Sequence, residues 1–497
     1  MGGKGATRLP RISREHILSA YKAGPDAVVS LIEYLQEEFQ RSLDELSSAL
    51  AELSEANRKL AEKNDKDSHN SNKPPSSDGL QKTPHHHRLP SKRKPGGQEG
   101  HPGVSLSMVS SPTRTVVHRV RVCNKCHHSL KGEKVLEYDK RQVFDLPPIK
   151  VEVTEHQAEV KECPRCGELT TAEFPEGVTH KVQYGPRLKS YGVYLRDYGL
   201  LPFERAAELF EDLFSVPLSA GTLVNVEREF AQRVSPVVEG IKEKIKKAPV
   251  AHFDETGINI GGKLHWLHSS GTAGLTYYAP HAKRGKEATD AIGILGSFHG
   301  VADHDGWSSY LQYDCIHSLC NAHHLRELTF VHEVLGQGWA ETMMDFLLEV
   351  NGKVEQQKER GKAKLAKGVL RRFERRYTEI LVAGKKANPP PPQGEKRRGR
   401  MKKGKVLSLV ERLWKHSEAV LRFMHDFRVP FTNNLAERDL RMMKVQQKIS
   451  GLFRSYEGAV SFCYIRSFIS TAKKQGSNII DSIQAVLEGH DPSLLWA

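Results

Sequence analysis

APVAHFDETGINI, residues 248–260, followed by the pair Gly261-Gly262, is the stretch on which the reading of this chain turns. A strand-like run ends in two glycines suited to a tight turn, and KLHWLHSS (263–270) and GLTYYAP (274–280) continue the pattern. Together they predict three strands joined by short connections, a β-meander.

Outward from the meander, a helical stretch is expected around residues 285–297, then a strand running into VADHDGW (301–307), another at CIHSLCNAH (315–323), and a helix from His323. The order βββαβα is that of a ribonuclease-H-like fold, in which the first and fourth strands lie side by side and would bring Asp254 and Asp305 together. Two carboxylates converging at strand ends suit a pair of Mg²⁺ ions, hard cations that prefer oxygen ligands and leave room for water and phosphate. Metals about 4 Å apart can activate an attacking hydroxyl and stabilise the leaving oxygen of an in-line displacement. The third carboxylate is expected from Glu437 in TNNLAERDLRMMKVQQKISG (432–451), a helix that Asn433 or Asn434 can cap. Glu437, Arg441, Lys444 and Lys448 recur there at steps of four, three and four, so one face carries an acid and then three cations. Asp303 is the rival for the second position, and Glu255 is expected to point to the opposite strand face. A mostly helical insert, 332–430, separates the fifth strand from Glu437; it includes RRFERRY (371–377), the prolines Pro389 to Pro392 and EKRRGRMKKGK (395–405).

The rest of the chain fits a polyanionic partner. Its 497 residues carry 74 Lys and Arg against 60 Asp and Glu, a formal charge of +14, which favours nucleic acid. Neither a signal peptide nor a long apolar run is apparent, so a cytoplasmic protein with reduced thiols and no membrane partner is expected. Cys123 and Cys126 in CNKC, with Cys163 and Cys166 in CPRCG, supply four thiolates for a structural Zn²⁺ site. His127 and His128 are alternative ligands, and VVHRVRV (116–122) and VEVTEHQAEV (151–160) read as strands around the knuckles. Further on, LPFERAAELFEDLFSVPLSAGTLVNVEREF (201–230) reads as a helix over 203–214, a turn, and a second helix from about 220 with Ser219 as N-cap, a helix-turn-helix pattern.

Toward the N-terminus, Ile32, Phe39, Leu43, Leu46, Leu50 and Leu53 follow heptad spacing, with Asn57 at a core-type position before Leu60. Such a seam predicts self-association, and a buried amide in it fixes register; the alternative is one amphipathic helix packing on its own protein. Next, NSNKPPSSDG (70–79) leads into a basic linker ending at GGQEGHPG (96–103), where Lys92, Arg93 and Lys94 are candidate phosphate contacts.

NSNKPPSSD, GGQEGHPG, the two knuckles, LPFERAAELF, HFDETG, DGW with the following Tyr310, CNAHHLREL and NNLAERDLR stand in the order seen in one family: over nearly its full length the chain resembles the transposases of the insertion-sequence-sixty-six family, a branch of the DDE transposases. The resemblance implies that Asp254, Asp305 and Glu437 take the DDE roles with Mg²⁺, or Mn²⁺, and that Arg438, Lys448, Arg454 and Ser455 are candidate DNA contacts. It implies a bacterial, nucleoid-associated enzyme that acts on transposon ends and target DNA as a homodimer or larger oligomer, with accessory proteins possible. The family usually shows a basic pair after C-x-A-H; here His324, Leu325 and Arg326 follow Cys320 and His323. That Cys and His read as packing and a satisfied side chain, with an accessory metal site as the alternative. The rival functions are a nuclease of the same fold that cuts without joining, and a non-catalytic DNA-binding regulator derived from a transposase.

The expected architecture is a multidomain α+β protein: coiled-coil helix (26–64), basic flexible linker (65–112), zinc-binding domain (113–180), helix-turn-helix domain (181–245), ribonuclease-H-like catalytic domain (246–450) with its helical insert, and C-terminal helices (451–497).

Overall fold

The computed structural model describes residues 12–64, 69–70, 106–390 and 404–491, with backbone only for 54–64. Lys92, Arg93, Lys94, most of the basic linker and residues 391–403 lie outside the described residues, as do the side chains of Asn57 and Leu60. In chain order the elements are α1 (Arg14–Ala23), α2 (Pro25–Asn64), β1 (Val160–Glu162), β2 (Leu169–Thr171), α3 (Pro186–Val193), α4 (Phe203–Phe214), α5 (Ala220–Lys246), β3 (Val250–Ile260), β4 (Lys263–Gly271), β5 (Thr276–His281), α6 (Lys286–Ile292), β6 (Val301–His304), β7 (Ile316–Leu319), α7 (Asn321–Glu333), α8 (Gly338–Glu359), α9 (Lys367–Ala387), α10 (Lys405–Lys415), α11 (Ser417–Val420), α12 (Arg422–His425), α13 (Asn434–Ile449), α14 (Tyr456–Lys474) and α15 (Ile479–Leu487). They fall into two compact units, Met1–His87 with Leu319–Thr432, and Arg88–Ser318 with Asn433–Ala497.

The second unit is built on a five-stranded sheet of order β5-β4-β3-β6-β7. β3 pairs antiparallel with β4 through Gly261 (φ 55°) and Gly262 (φ 78°). Two consecutive positive φ values let the connection follow the strands' twist, which is why both positions are glycine. β5 continues the meander antiparallel to β4, while β6 runs parallel to β3 with His252 opposite Asp303. At the start of β6 the backbones approach closely: a Cβ on Gly300 would lie 2.4 Å from the carbonyl oxygen of Ala248.

Helices cover this sheet. α13 lies against β3 and β4, and α14 against β5 and α5. The apolar stripe of α5, Val226, Phe230, Val234, Val238 and Ile241, meets Phe468 and Ile469 of α14 in the main core. Its first turn, capped by Ser219 accepting from the Thr222 N–H, packs Leu223 against Phe210 of α4. The α4–α5 pair therefore belongs to the same compact unit as the sheet, with the body of α5 committed to its core.

The knuckle region departs from the expected strands. Residues 116–121 and 151–159 form no regular strand; among the described residues the pairing is β1 with β2 and an isolated Val122–Ser129 bridge. Val116, Val120 and Val153 are exposed. Alternation makes a strand only where a partner face buries its apolar half, and among the described residues no such face covers these valines.

In the other unit, α7 to α12 enclose a core including Trp339, Met343, Phe346, Phe373, Tyr377 and Leu413. α7 begins at Asn321, two residues ahead of the expected start, with buried Cys320 at its N-cap position. α2 is one unbroken 40-residue helix on which Ile32, Phe39, Leu43, Leu46, Leu50 and Leu53 are exposed. No helix among the described residues is long and apolar enough to cross a membrane.

Candidate active site

Asp254 lies on β3, Asp305 one residue beyond the end of β6, and Glu437 in the first turn of α13. Side chains two apart on a strand share a face, so Asp254 lies on the face of His252, and Asp305 follows two residues after Asp303, the register partner of His252. Their charges are felt at once: burial first, then Glu255, Asp305 and Glu437, push the Asp254 carboxyl well above the usual carboxylate range. A hydrogen bond from the Glu255 N–H (2.9 Å) pulls the other way. Asp305 accepts from the Trp307 N–H at 2.8 Å, which fixes its carboxyl at the strand exit. Glu437 Oε1 is buried with no hydrogen-bond partner among the described residues. Asp254 thus sits among like charges and Glu437 brings an orphaned buried oxygen, although the oxygens of Asp254, Asp305 and Glu437 do not all lie within 4.8 Å of one another.

The rival acids are otherwise engaged. Asp303 is fully buried and bonded to His252 (3.1 Å). Glu255 accepts from Arg284 Nε (2.6 Å) and from the Tyr310 hydroxyl. Burial, and the Asp305 charge with it, raises the Glu255 carboxyl, while Tyr310 and Arg284 lower it. The Arg284 guanidinium stacks 3.9 Å over Trp307 and 4.9 Å from the Trp266 ring centroid. Sequence reasoning missed Arg284, and its signal, a cation flanked by tryptophans, exists only in three dimensions.

Asn433 corrects another expectation. It occupies the N-cap position of α13 without a side-chain cap bond. Instead its amide donates to the Phe253 carbonyl (2.9 Å) and its oxygen accepts from His252 Nδ1 (2.9 Å). Beyond Glu437, Arg438, Arg441, Lys444 and Lys448 are all exposed along α13, as is Arg454 beyond its end.

At the knuckles, Cys123 N–H bonds His128 O and Cys163 N–H bonds Glu168 O, both at 2.9 Å, so the two turns share one geometry. Positive φ follows the second cysteine in each, at His127 (55°) and Gly167 (75°). The Cys126 backbone N–H holds the Cys123 thiol below its ordinary value, and the Arg165 N–H does the same for Cys163. Both turns thus favour thiolates, the form that ligates zinc. Each pair is brought together within its knuckle, but no three of the four sulfurs lie within 4.8 Å of one another.

A family model described as Transposase IS66 family matches residues 181–461. A second, the zinc-finger binding domain of transposase IS66, matches 121–167 and spans both knuckles, and a family of unknown function matches 28–107. No curated protein matches the chain. The chain belongs to the IS66 transposase family, and its zinc-finger domain supports a structural zinc.

Proposed function

We propose that this chain is a DDE transposase that cleaves the ends of an insertion sequence and joins them to target DNA, with Asp254, Asp305 and Glu437 as its catalytic acids. The observation that carries the reading is geometric: Asp254 stands on β3, Asp305 follows the end of β6, the parallel neighbour of β3, and α13, which packs on β3, carries Glu437 with a buried, unpartnered oxygen. The sheet order, an antiparallel β3-β4-β5 meander with β6 added parallel to β3 on its other edge, supports a ribonuclease-H-like core. The three acids would hold two Mg²⁺ or Mn²⁺ ions, which when bound make water a competent nucleophile and neutralise the leaving oxygen.

Water attacks the phosphorus at the element end, the bond to the bridging 3′-oxygen breaks, and that oxygen takes a proton. The freed 3′-hydroxyl then attacks a target phosphodiester, exchanging one P–O bond for another. Asp254, Asp305 and Glu437 fix the reacting centre, Glu255 holds Arg284 and Tyr310 in place beside them, and Arg438, Arg441, Lys444, Lys448 and Arg454 bind backbone phosphates. Cys123, Cys126, Cys163 and Cys166 close on one structural Zn²⁺. The exposed seam of α2 pairs with a second copy of the chain, giving a homodimer or larger assembly. The α4–α5 pair, as a helix-turn-helix, and residues 92–94 add contacts to DNA. The enzyme works at the bacterial nucleoid, with accessory proteins as partners.

The test is Mg²⁺-dependent cleavage and joining of labelled DNA carrying the element's own ends, with the intact chain and with Asp254→Ala, Asp305→Ala and Glu437→Ala. The intact chain is expected to cut and join; each variant should lose at least about a hundredfold in rate while still binding the ends. Binding without cutting by the intact chain, with accessory proteins supplied, would establish a DNA-binding regulator instead. Cutting without joining would establish a nuclease.

A further inference from the structure

The three acid-bearing elements are tied together one structural period before each acid. His252 stands two residues before Asp254 on β3, Asp303 two before Asp305 on the β6 side, and Asn433 four before Glu437 at the start of α13. Two residues is the repeat of a strand face and four is one turn of a helix, so each of these residues lies directly behind its acid. The three meet: His252 Nδ1 is 3.1 Å from Asp303 Oδ2 and 2.9 Å from Asn433 Oδ1. The Asn433 amide nitrogen donates to the Phe253 carbonyl at 2.9 Å, which fixes the amide's orientation and turns its oxygen toward the imidazole. Both neighbours of Nδ1 are then acceptors, so Nδ1 carries the proton and donates to the two. All three side chains are buried. A polar group in such a place keeps one geometry because leaving it would strand an unpaired donor or acceptor.

We propose that His252, Asp303 and Asn433 form a buried positioning triad that sets the register of β3, β6 and α13, and through it the spacing of Asp254, Asp305 and Glu437. The proposal rests on the reading of those acids as a divalent-cation site. None of the triad touches the reacting atoms. Its effect is on how well the acids are arranged before a cation arrives, the role that outer-shell hydrogen bonds play at metal sites generally. α13 joins the sheet only after a long intervening stretch of chain, and the Asn433 clasp ties its very start to β3, ahead of the bonds that Asp439 makes with Thr276, Tyr278 and Lys474.

The experiment uses the full-length chain. Mn²⁺ is titrated by calorimetry into the wild type, His252→Leu, His252→Asn, Asn433→Ala and Thr471→Val, and amide hydrogen exchange is followed in peptides from α13 and α14. Thr471 makes an equally buried hydrogen bond with Thr276 between α14 and β5, so its loss controls for general destabilisation. His252→Asn keeps an N–H donor near the position of Nδ1. His252→Leu and Asn433→Ala should weaken Mn²⁺ binding about tenfold or more and speed exchange in the first turns of α13. His252→Asn should recover most of the affinity, and Thr471→Val should change exchange in α14 with Mn²⁺ binding unaltered. DNA binding and the KM for DNA should stay at wild-type values, with the loss confined to kcat.

Wild-type Mn²⁺ affinity in His252→Leu and Asn433→Ala, or an effect matched by Thr471→Val, overturns the proposal. Should His252→Leu fail to fold, Asn433→Ala against Thr471→Val makes the same decision. If the wild type itself takes up no Mn²⁺, the metal reading of the acids has failed, and the exchange data still judge the triad: unchanged α13 protection in Asn433→Ala refutes it, and selective loss there sustains it.

Discussion

Glu227 on α5 bonds Arg196 at 2.9 Å, yet burial outweighs the cation and pushes its carboxyl up to about 7. A carboxyl whose folded pKa lies above its unfolded value binds its proton more tightly in the folded chain. Its contribution to stability is therefore complete below about pH 4.5 and lost as the pH rises through about 7. Glu227→Gln removes that dependence. The melting temperature of the variant minus that of the wild type should climb between pH 4.5 and 7.5, read by calorimetry; a flat difference would refute the assignment. Asp254 and Asp305 were legible in sequence because strand periodicity and the order of strands bring them to one face. Asn433 was not, since a polar residue ahead of a helical run has the pattern of a cap, and nothing local reveals a histidine 181 residues away that claims its amide. Arg284 was hidden for the same reason: in sequence it is one cation in a short basic loop, and only the fold sets it between two tryptophans.

α13 is the element on which acid and cations share a helix. Exposed Arg441, Lys444 and Lys448 follow half-buried Glu437, the arrangement behind the proposal that this helix meets backbone phosphates. A cation that neutralises one backbone phosphate contributes about 0.9 to the slope of log affinity against log salt. Replacing Arg441, Lys444 or Lys448 with Ala should reduce that slope by roughly this amount each, measured by fluorescence anisotropy on end-bearing DNA between 50 and 200 mM salt. Asp254→Ala should leave the slope intact, and unchanged slopes in all three cation variants would remove α13 from the interface. Elements of the meander were legible because alternation ends in Gly261-Gly262, a turn with one geometry. VVHRVRV has the same alternation, but its valines stay exposed and, among the described residues, its pairing is limited to the Val122–Ser129 bridge. Periodicity reports what a segment can do, and burial decides whether it does so.

At the scale of the molecule the knuckle segment differs from the sheet unit's core: its valines are exposed and its regular pairing is limited to short strands. A segment with so little buried apolar surface is expected to draw its order from ligated thiolates. Stripping zinc with a strong chelator should speed proteolysis between residues 106 and 180 while the main thermal transition moves little. Equal protection with and without the chelator would show that zinc does not order the segment.

The sheet unit is also discontinuous in sequence, since Leu319–Thr432 intervenes between the strands and α13. Translation therefore delivers the acids in two instalments. A ribosome that has just added Thr432 has made Asp254 and Asp305, the knuckles and the exposed seam of α2, but neither Asn433 nor Glu437. A product cut short in that interval keeps the N-terminal segments proposed to bind DNA and to pair with another copy, and it has no third acid.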